Sequence, residues 1–278
     1  MAQGLSLIEL MIAILIGSIL LLGLVQIYGA TRESYRLSEG MARVQENGRF
    51  ALDFLQRDIR LAGHFGCVND QARIQMEATA GAGVGNVLTS HFPAAGLLNF
   101  RFSLQGFDGP PPIVGLTPAP LANSDSIMLR FLTGDGVPVT VIDSAARTVT
   151  VDNGKWDVLT FGGVAAPDIF GIADCTYADV FAADTVVGST VTAPATVLLS
   201  QRYAANPGGG PASLYRAEAL VYYLANGTGG RPSLYRARIN RNGTPVSEEL
   251  VEGIDNMQIR YGIAGTNANG EPNGNVQT

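Results

Sequence analysis

Between Leu10 and Ala30 the chain runs for twenty-one residues without a charged side chain. Outside the apolar and glycine positions, only Ser18, Gln26 and the hydroxyl of Tyr28 interrupt it. A run of that length crosses a bilayer at 1.5 Å per residue. It is apolar on every side, whereas a helix lining a globular core carries a single apolar stripe. From Arg32 the pattern changes without breaking. Apolar positions recur at Tyr35, Leu37, Met41, Val44, Ala51, Leu52, Leu55 and Ile59, mostly three or four apart, which is one face of an α-helix. The opposite face carries acids followed four residues later by arginines, Glu39 with Arg43 and Asp53 with Arg57, and such pairs support an exposed helix. The first proline is Pro93, and Gly63 offers a stop after Leu61 and Ala62. The spacing predicts one helix from about Leu5 to Ala62, on the order of 85 Å long. Its first half (5–30) is wholly apolar and its second (31–63) amphipathic. Gly40 and Gly48 weaken it, each by about 1 kcal/mol relative to alanine.

One acid intrudes at the start. Glu9 stands just inside the apolar half, where a carboxylate costs roughly 2.5–3.5 kcal/mol at a helix centre, so a functional role is expected of it. A secretory signal peptide is the rival reading of the segment. It needs a basic start, which residues 1–4 lack, and a small-x-small cleavage site, which Tyr28 before Ala30 spoils. A cleaved peptide also has no reason to continue as the same helix.

After Cys67 the texture changes to short β-rich runs divided by Gly, Pro, Asn and Asp: SIMLRFL (126–132), VPVTVI (137–142), TVTV (148–151), DVLTF (157–161) and ATVLLSQ (195–201). These predict strands of a mainly antiparallel sheet. The clearest unit is a hairpin, with strands at 213–225 and 233–240 joined by the glycine-rich turn 226–230. Residues 79–120, rich in Gly, Ala and Pro, read as a long surface loop, and GGG at 208–210 as another. The chain closes on a polar run, GTNANGEPNGNVQT, that predicts no strand. The expected fold class is α+β: a long N-terminal helix whose second half packs on an antiparallel β-sheet head spanning 64–278.

Composition narrows the function classes. Net charge is −6, and the helix region from Leu5 to Gly63 balances six acids against six arginines, so the deficit belongs to the head. An acidic head argues against nucleic acid as a partner. There are two cysteines, Cys67 and Cys175, and two histidines, His64 and His91. No C-x-x-C spacing occurs, so neither a metal site nor a cofactor is expected. In an extracytoplasmic head a Cys67–Cys175 disulfide is the natural reading, closing a loop worth roughly 4–5 kcal/mol in the chain-entropy model; two free buried thiols are the alternative. No nucleophile elbow accompanies His64 or His91, and His64 reads as a packing or capping residue at the helix end. Asp174 and Asp179, near Cys175, read as turn residues. TNANGEPNG lacks the carboxylate density of a calcium loop. Nothing in the pattern supports an enzyme.

A long helix, apolar then amphipathic, headed by G-L-S-L-I-E-L, resembles the type IV pilin and pseudopilin superfamily. ENGRFALDFLQRDIRLAGHFGC (Glu46–Cys67), YYLANGTGGRPSLYRARI (Tyr222–Ile239) and ELVEGIDNMQIRYGI (Glu249–Ile263) are similar to blocks of the PilW-type minor pilins. The resemblance implies a leader, residues 1–4, cut by prepilin peptidase after Gly4, and N-methylation of the new terminus at Leu5. It implies single-pass storage in the inner membrane with a periplasmic head. It further implies assembly at or near a pilus tip with other minor and major pilins and a tip adhesin. Glu9 falls on the family's assembly glutamate, expected to meet the Leu5 amine of a neighbouring subunit. A pair with its own terminus, or solvation by headgroups, remains open. Leu5 stands where phenylalanine is usual, and the leader lacks its usual basic residue. PilW-type chains usually continue past this end, implying one or two further strands. A type II secretion pseudopilin and a membrane-tethered periplasmic enzyme or binding protein are the alternative functions.

Overall fold

In a computed structural model of the chain, residues 6–67, 88–93, 96–174, 176–203, 211–266 and 272–277 are described. Helix α1 runs without interruption from Leu7 to Leu61, as the periodicity predicts, and Arg43 pairs with Glu39 at 2.6 Å. The chain divides into two compact units, Met1–Phe50 and Ala51–Thr278. The last three turns of α1 therefore belong with the head.

The head contains β1 (Leu88–Ser90), β2 (Leu104–Phe107), β3 (Ser126–Leu132), β4 (Val137–Asp143), β5 (Thr148–Val151), α2 (Trp156–Thr160), β6 (Ile169–Ala173), β7 (Ala178–Ala182), β8 (Thr185–Val187), β9 (Thr190–Thr192), α3 (Leu199–Arg202), β10 (Ser213–Asn226), β11 (Pro232–Ile239), β12 (Pro245–Glu252), β13 (Ile263–Thr266) and β14 (Pro272–Gln277). Strand β10 is the spine. Its first residues pair with β4 and β6, Leu214 opposite Val137 and Ile172. Its remainder pairs with β3 and β11, Leu220 opposite Leu129 and Arg238. Both ladders are antiparallel; β1 against β7 is parallel.

Strands β3 and β10 are buried on both faces, which is why SIMLRFL and AEALVYYLA read as continuous runs without alternation. One face carries Ile127, Leu129, Leu220, Tyr222, Leu224 and Leu234 and receives Ala51, Phe54 and Leu55 of α1. The other carries Met128, Ala219, Val221 and Tyr223 and is covered by Leu98, Phe100, Ile113 and Leu116. At the end of α1, Gly63 takes a positive φ of 81°, and the emerging backbone continues beside β3. The Gly63 N–H donates to Arg130 O at 3.2 Å, and the Leu132 N–H donates to His64 O at 2.8 Å. His64 Nδ1 lies 3.0 Å from Leu132 O, so it is a packing residue at the helix end.

Four expectations change. DVLTF forms the short helix α2 and not a strand. Asp152 caps the preceding turn by accepting the Gly154 N–H at 2.9 Å, and that local bond overrides weak five-residue alternation. ATVLLSQ becomes a turn at Pro194–Val197 followed by α3. The 79–120 stretch, where described, is not a loose loop. It supplies β1 and β2 and five core side chains, Leu88, Leu98, Phe100, Ile113 and Leu116, because Gly and Pro there shape a covering layer over an apolar sheet face. The polar C-terminal run forms β14, paired with β13 through Ile263–Gln277 and Ala264–Val276. The β3, β4, β5 and β10–β11 expectations hold.

That covering layer is pinned by a buried cation. Arg130, 1% exposed in the middle of β3, donates through Nε to Leu97 O at 2.6 Å, through Nη1 to Phe102 O at 2.7 Å and through Nη2 to Gln105 Oε1 at 3.1 Å. No carboxylate pairs with it among the described residues, and burial pulls its pKa down to about 10. It stays charged at neutral pH, held by carbonyl dipoles and by the Met128 sulfur, 3.0 Å from Nη2. Arg130→Met should leave those carbonyls unmet and cost about 1–3 kcal/mol, read from urea unfolding. Amide exchange should quicken in 97–105. Unchanged exchange there would contradict this role.

Candidate assembly site

At the N-terminus, Gly4 and Leu5 lie outside the described residues. From Leu7 to Tyr28 the helix surface is a continuous exposed apolar sheath, long and apolar enough to cross a membrane by length and composition. The serine within it and the threonine just beyond it turn their hydroxyls inward on the backbone. Ser18 Oγ donates to Leu15 O at 2.8 Å, and Thr31 Oγ1 to Ile27 O at 2.8 Å, so neither presents an unmet donor to hydrocarbon. Glu9 is exposed, and its Oε2 accepts the Ser6 N–H at 3.3 Å. Ser6 precedes the first helical residue and Glu9 sits at the third, the reciprocal half of an S-x-x-E capping box. The local partner of Glu9 is therefore a backbone donor. This bond also keeps the carboxylate at the helix start.

The buried charge on α1 is Asp58, 5% exposed. It falls on the apolar stripe at Ala51, Leu55, Asp58 and Ala62, and there it faces the sheet. Its Oδ2 accepts the Tyr222 hydroxyl at 2.5 Å and Arg236 Nη1 at 3.1 Å. Arg236 also donates through Nε to Glu248 Oε1 at 2.7 Å. The three strands β10, β11 and β12 thus converge on one helix carboxylate. Burial and the Asp58 charge push the Tyr222 hydroxyl well above its ordinary pKa. Burial pulls Arg236 down, but hydrogen bonding to Glu248 and the charges around it carry its pKa above the ordinary value. An inward charge in an apolar helix stripe was the available signal for this site, and the helical periodicity alone passes over it.

Asp174 is a turn residue, as expected: its Oδ1 accepts the Thr176 and Tyr177 N–H groups, both at 2.6 Å. Asp179 is the centre of a buried cluster. It accepts from Arg202 Nη1 at 2.9 Å and the Tyr203 hydroxyl at 2.6 Å, and lies 2.7 Å from His91 Nε2. Strand β7 buries Asp179 because its neighbours across the fold are the cation and hydroxyl of α3 and its following residue, partners 23 and 24 positions away that spacing does not reveal. His91 and Asp179 thus meet, and the hydroxyl that joins them is that of Tyr203, which donates to Asp179 Oδ2. Cys175 lies outside the described residues; Cys67 directly follows Gly66, whose added Cβ would come within 2.9 Å of Ala173 Cβ.

Comparison with known proteins gives two matches. The family model of type IV pilus-assembly protein W matches residues 221–277, and that of the prokaryotic N-terminal methylation motif matches residues 1–25. The first covers the strands that meet Asp58, and the second covers Glu9 and the apolar sheath. No curated protein and no solved structure matches the chain.

Asp58→Ala removes one partner of a buried ionic set and should cost about 3–5 kcal/mol, measured by denaturant unfolding of the full chain in detergent. A cost within experimental error would show that Asp58 does not hold the helix end. A pH dependence follows from the tyrosines. The pKa values of Tyr203, Tyr222 and Tyr223 are raised, first by burial. A raised folded pKa gives stability that is complete below the unfolded value, about 10, and is lost as pH rises above it. Unfolding midpoints should fall above about pH 10, less steeply in Tyr222→Phe. An equal slope in that variant would contradict the assignment.

Proposed function

We propose that this chain, a member of the PilW family and a type IV pilus minor pilin, works by assembly and not by turnover. Its family implies interaction with other pilins and the pilus machinery, and its apolar helix with the methylation motif fits an inner-membrane anchor. The observation that carries the mechanism is Glu9, the carboxylate at the head of a membrane-length apolar sheath, held by one backbone bond. Prepilin peptidase cuts after Gly4 and the Leu5 amine is methylated. Glu9 then meets the Leu5 amine of an adjacent subunit. Two such charges attract strongly in low dielectric, and leaving either unpaired is what costs. Only the correct axial stagger neutralises both, so the pair sets register. The head, periplasmic during storage, reaches the pilus tip with other minor pilins and a tip adhesin.

A Cys67–Cys175 disulfide completes the head. It would tie the segment leaving α1 to the β6–β7 turn, and the close approach of Gly66 to Ala173 supports it.

Glu9→Ala should lose most co-purification with pilins while its head unfolds at the wild-type midpoint; recovery of pilins at wild-type levels would remove the registry role. For the disulfide, thiol alkylation of the unfolded chain should add two labels only after reduction. Two labels without reduction would show free cysteines.

A further inference from the structure

A cavity of about 620 Å³ opens on the helix-facing side of the head sheet, beside the last turns of α1. Its floor is a triad on β10 and β11. Glu218 is buried, and its two oxygens each hold one guanidinium: Oε1 accepts from Arg216 Nε at 2.7 Å and Oε2 from Arg238 Nε at 2.7 Å. Two arginines on one carboxylate leave the triad with a net charge of +1. Arg216 also donates Nη1 to Leu159 O and Phe161 O, at 2.7 and 2.6 Å, which leaves its Nη2 edge. The Nη groups of Arg238 donate to nothing among the described residues. Arg57 lines the same cavity and forms no ion pair among the described residues. Arg236, by contrast, is already balanced by Asp58 and Glu248.

Guanidinium edges match a planar carboxylate, which they bind through paired donors. Arg238, whose side chain is 30% exposed and lines the cavity, leaves its Nη donors available to an anion. A second polar group awaits a partner: Thr133 Oγ1 lines the cavity, is shielded from solvent and has no hydrogen-bond partner among the described residues. Besides Glu218 and Asp58, which are already paired with arginines, Asp135 and Asp157 line the cavity and limit the charge of the guest. They oppose a multiply charged phosphate more than a singly charged carboxylate. Phe161, 70% exposed on the cavity lining, offers its ring to the methylenes of an acidic side chain.

We propose that this cavity receives the carboxylate of an acidic side chain presented by a neighbouring pilin, clamped between Arg216 and Arg238 with Arg57 alongside. The carboxylate chemistry rests on the cavity; its source in a pilin rests on the function proposed above. The test uses the full chain in detergent, with glutarate as the probe and sodium chloride at matched ionic strength as the control. Glutarate should raise the Tm saturably. Arg238→Gln and Arg57→Gln should each need roughly tenfold more glutarate for the same rise and should recover fewer pilins on co-purification. Arg57→Gln breaks no ion pair seen among the described residues, so it separates binding from folding. Absence of a Tm rise in the wild type would overturn the site. A rise that both variants weaken, with pilin recovery unchanged, would assign the cavity to free small carboxylates and overturn the pilin source. Glutarate binding by a wild-type chain that recovers no pilins would overturn that source together with the function above, leaving the carboxylate chemistry in place.

Discussion

The carboxylate of Asp58 fixes the end of a 55-residue helix to the sheet that it serves. Within the head, the last turns of α1 are seated on the sheet by two kinds of contact. Apolar packing of Ala51, Phe54 and Leu55 on the sheet supplies attraction without direction. A buried acid with two named partners supplies direction, because a one-residue slip would strand the charge away from both. The tyrosine comes from β10 and the arginine from β11, so the carboxylate also ties the spine of the sheet to its hairpin. The helix end and the segment matched to the assembly family thus meet at a single oxygen, Asp58 Oδ2.

What the sequence made legible follows from range. An uncharged apolar run of twenty-one residues followed by a 3.6-residue period from Arg32 marks α1 over its whole length, so its ends could be read to within two residues. Runs buried on both faces, such as Ser126–Leu132, announce themselves by apolar density, and the β10–β11 hairpin by its glycine-rich turn. Short runs failed. Asp157–Phe161 alternates over too few positions to distinguish strand from helical turn, and a single Asp152 cap decided it. The 79–120 stretch failed differently: its Gly and Pro content marks departures from regular structure, not departures from the core, and Leu98 and Phe100 are as buried as any strand residue.

Of the functional residues, Glu9 was visible because a charge in an apolar run is conspicuous at any length of window. Its capping bond to Ser6 was written in the same four letters, S-L-I-E, and follows from the capping-box rule. Asp179 with His91, Arg202 and Tyr203, and the Arg216–Glu218–Arg238 triad, were not legible. Glu218 and its two arginines alternate along β10 and β11 like any solvated strand face. Only the covering of that face, by the end of α1 and by α2, converts the pattern into a buried site.

The central claim is that the chain is processed into a pilin whose mature sequence starts at a methylated Leu5, four residues before Glu9. Intact-mass measurement of the membrane-extracted protein tests it most directly. The account predicts a mass that begins at Leu5 and carries one additional methyl group. A mass beginning near Thr31 would contradict it, because the apolar helix would then be a discarded secretory leader and not part of an assembled filament.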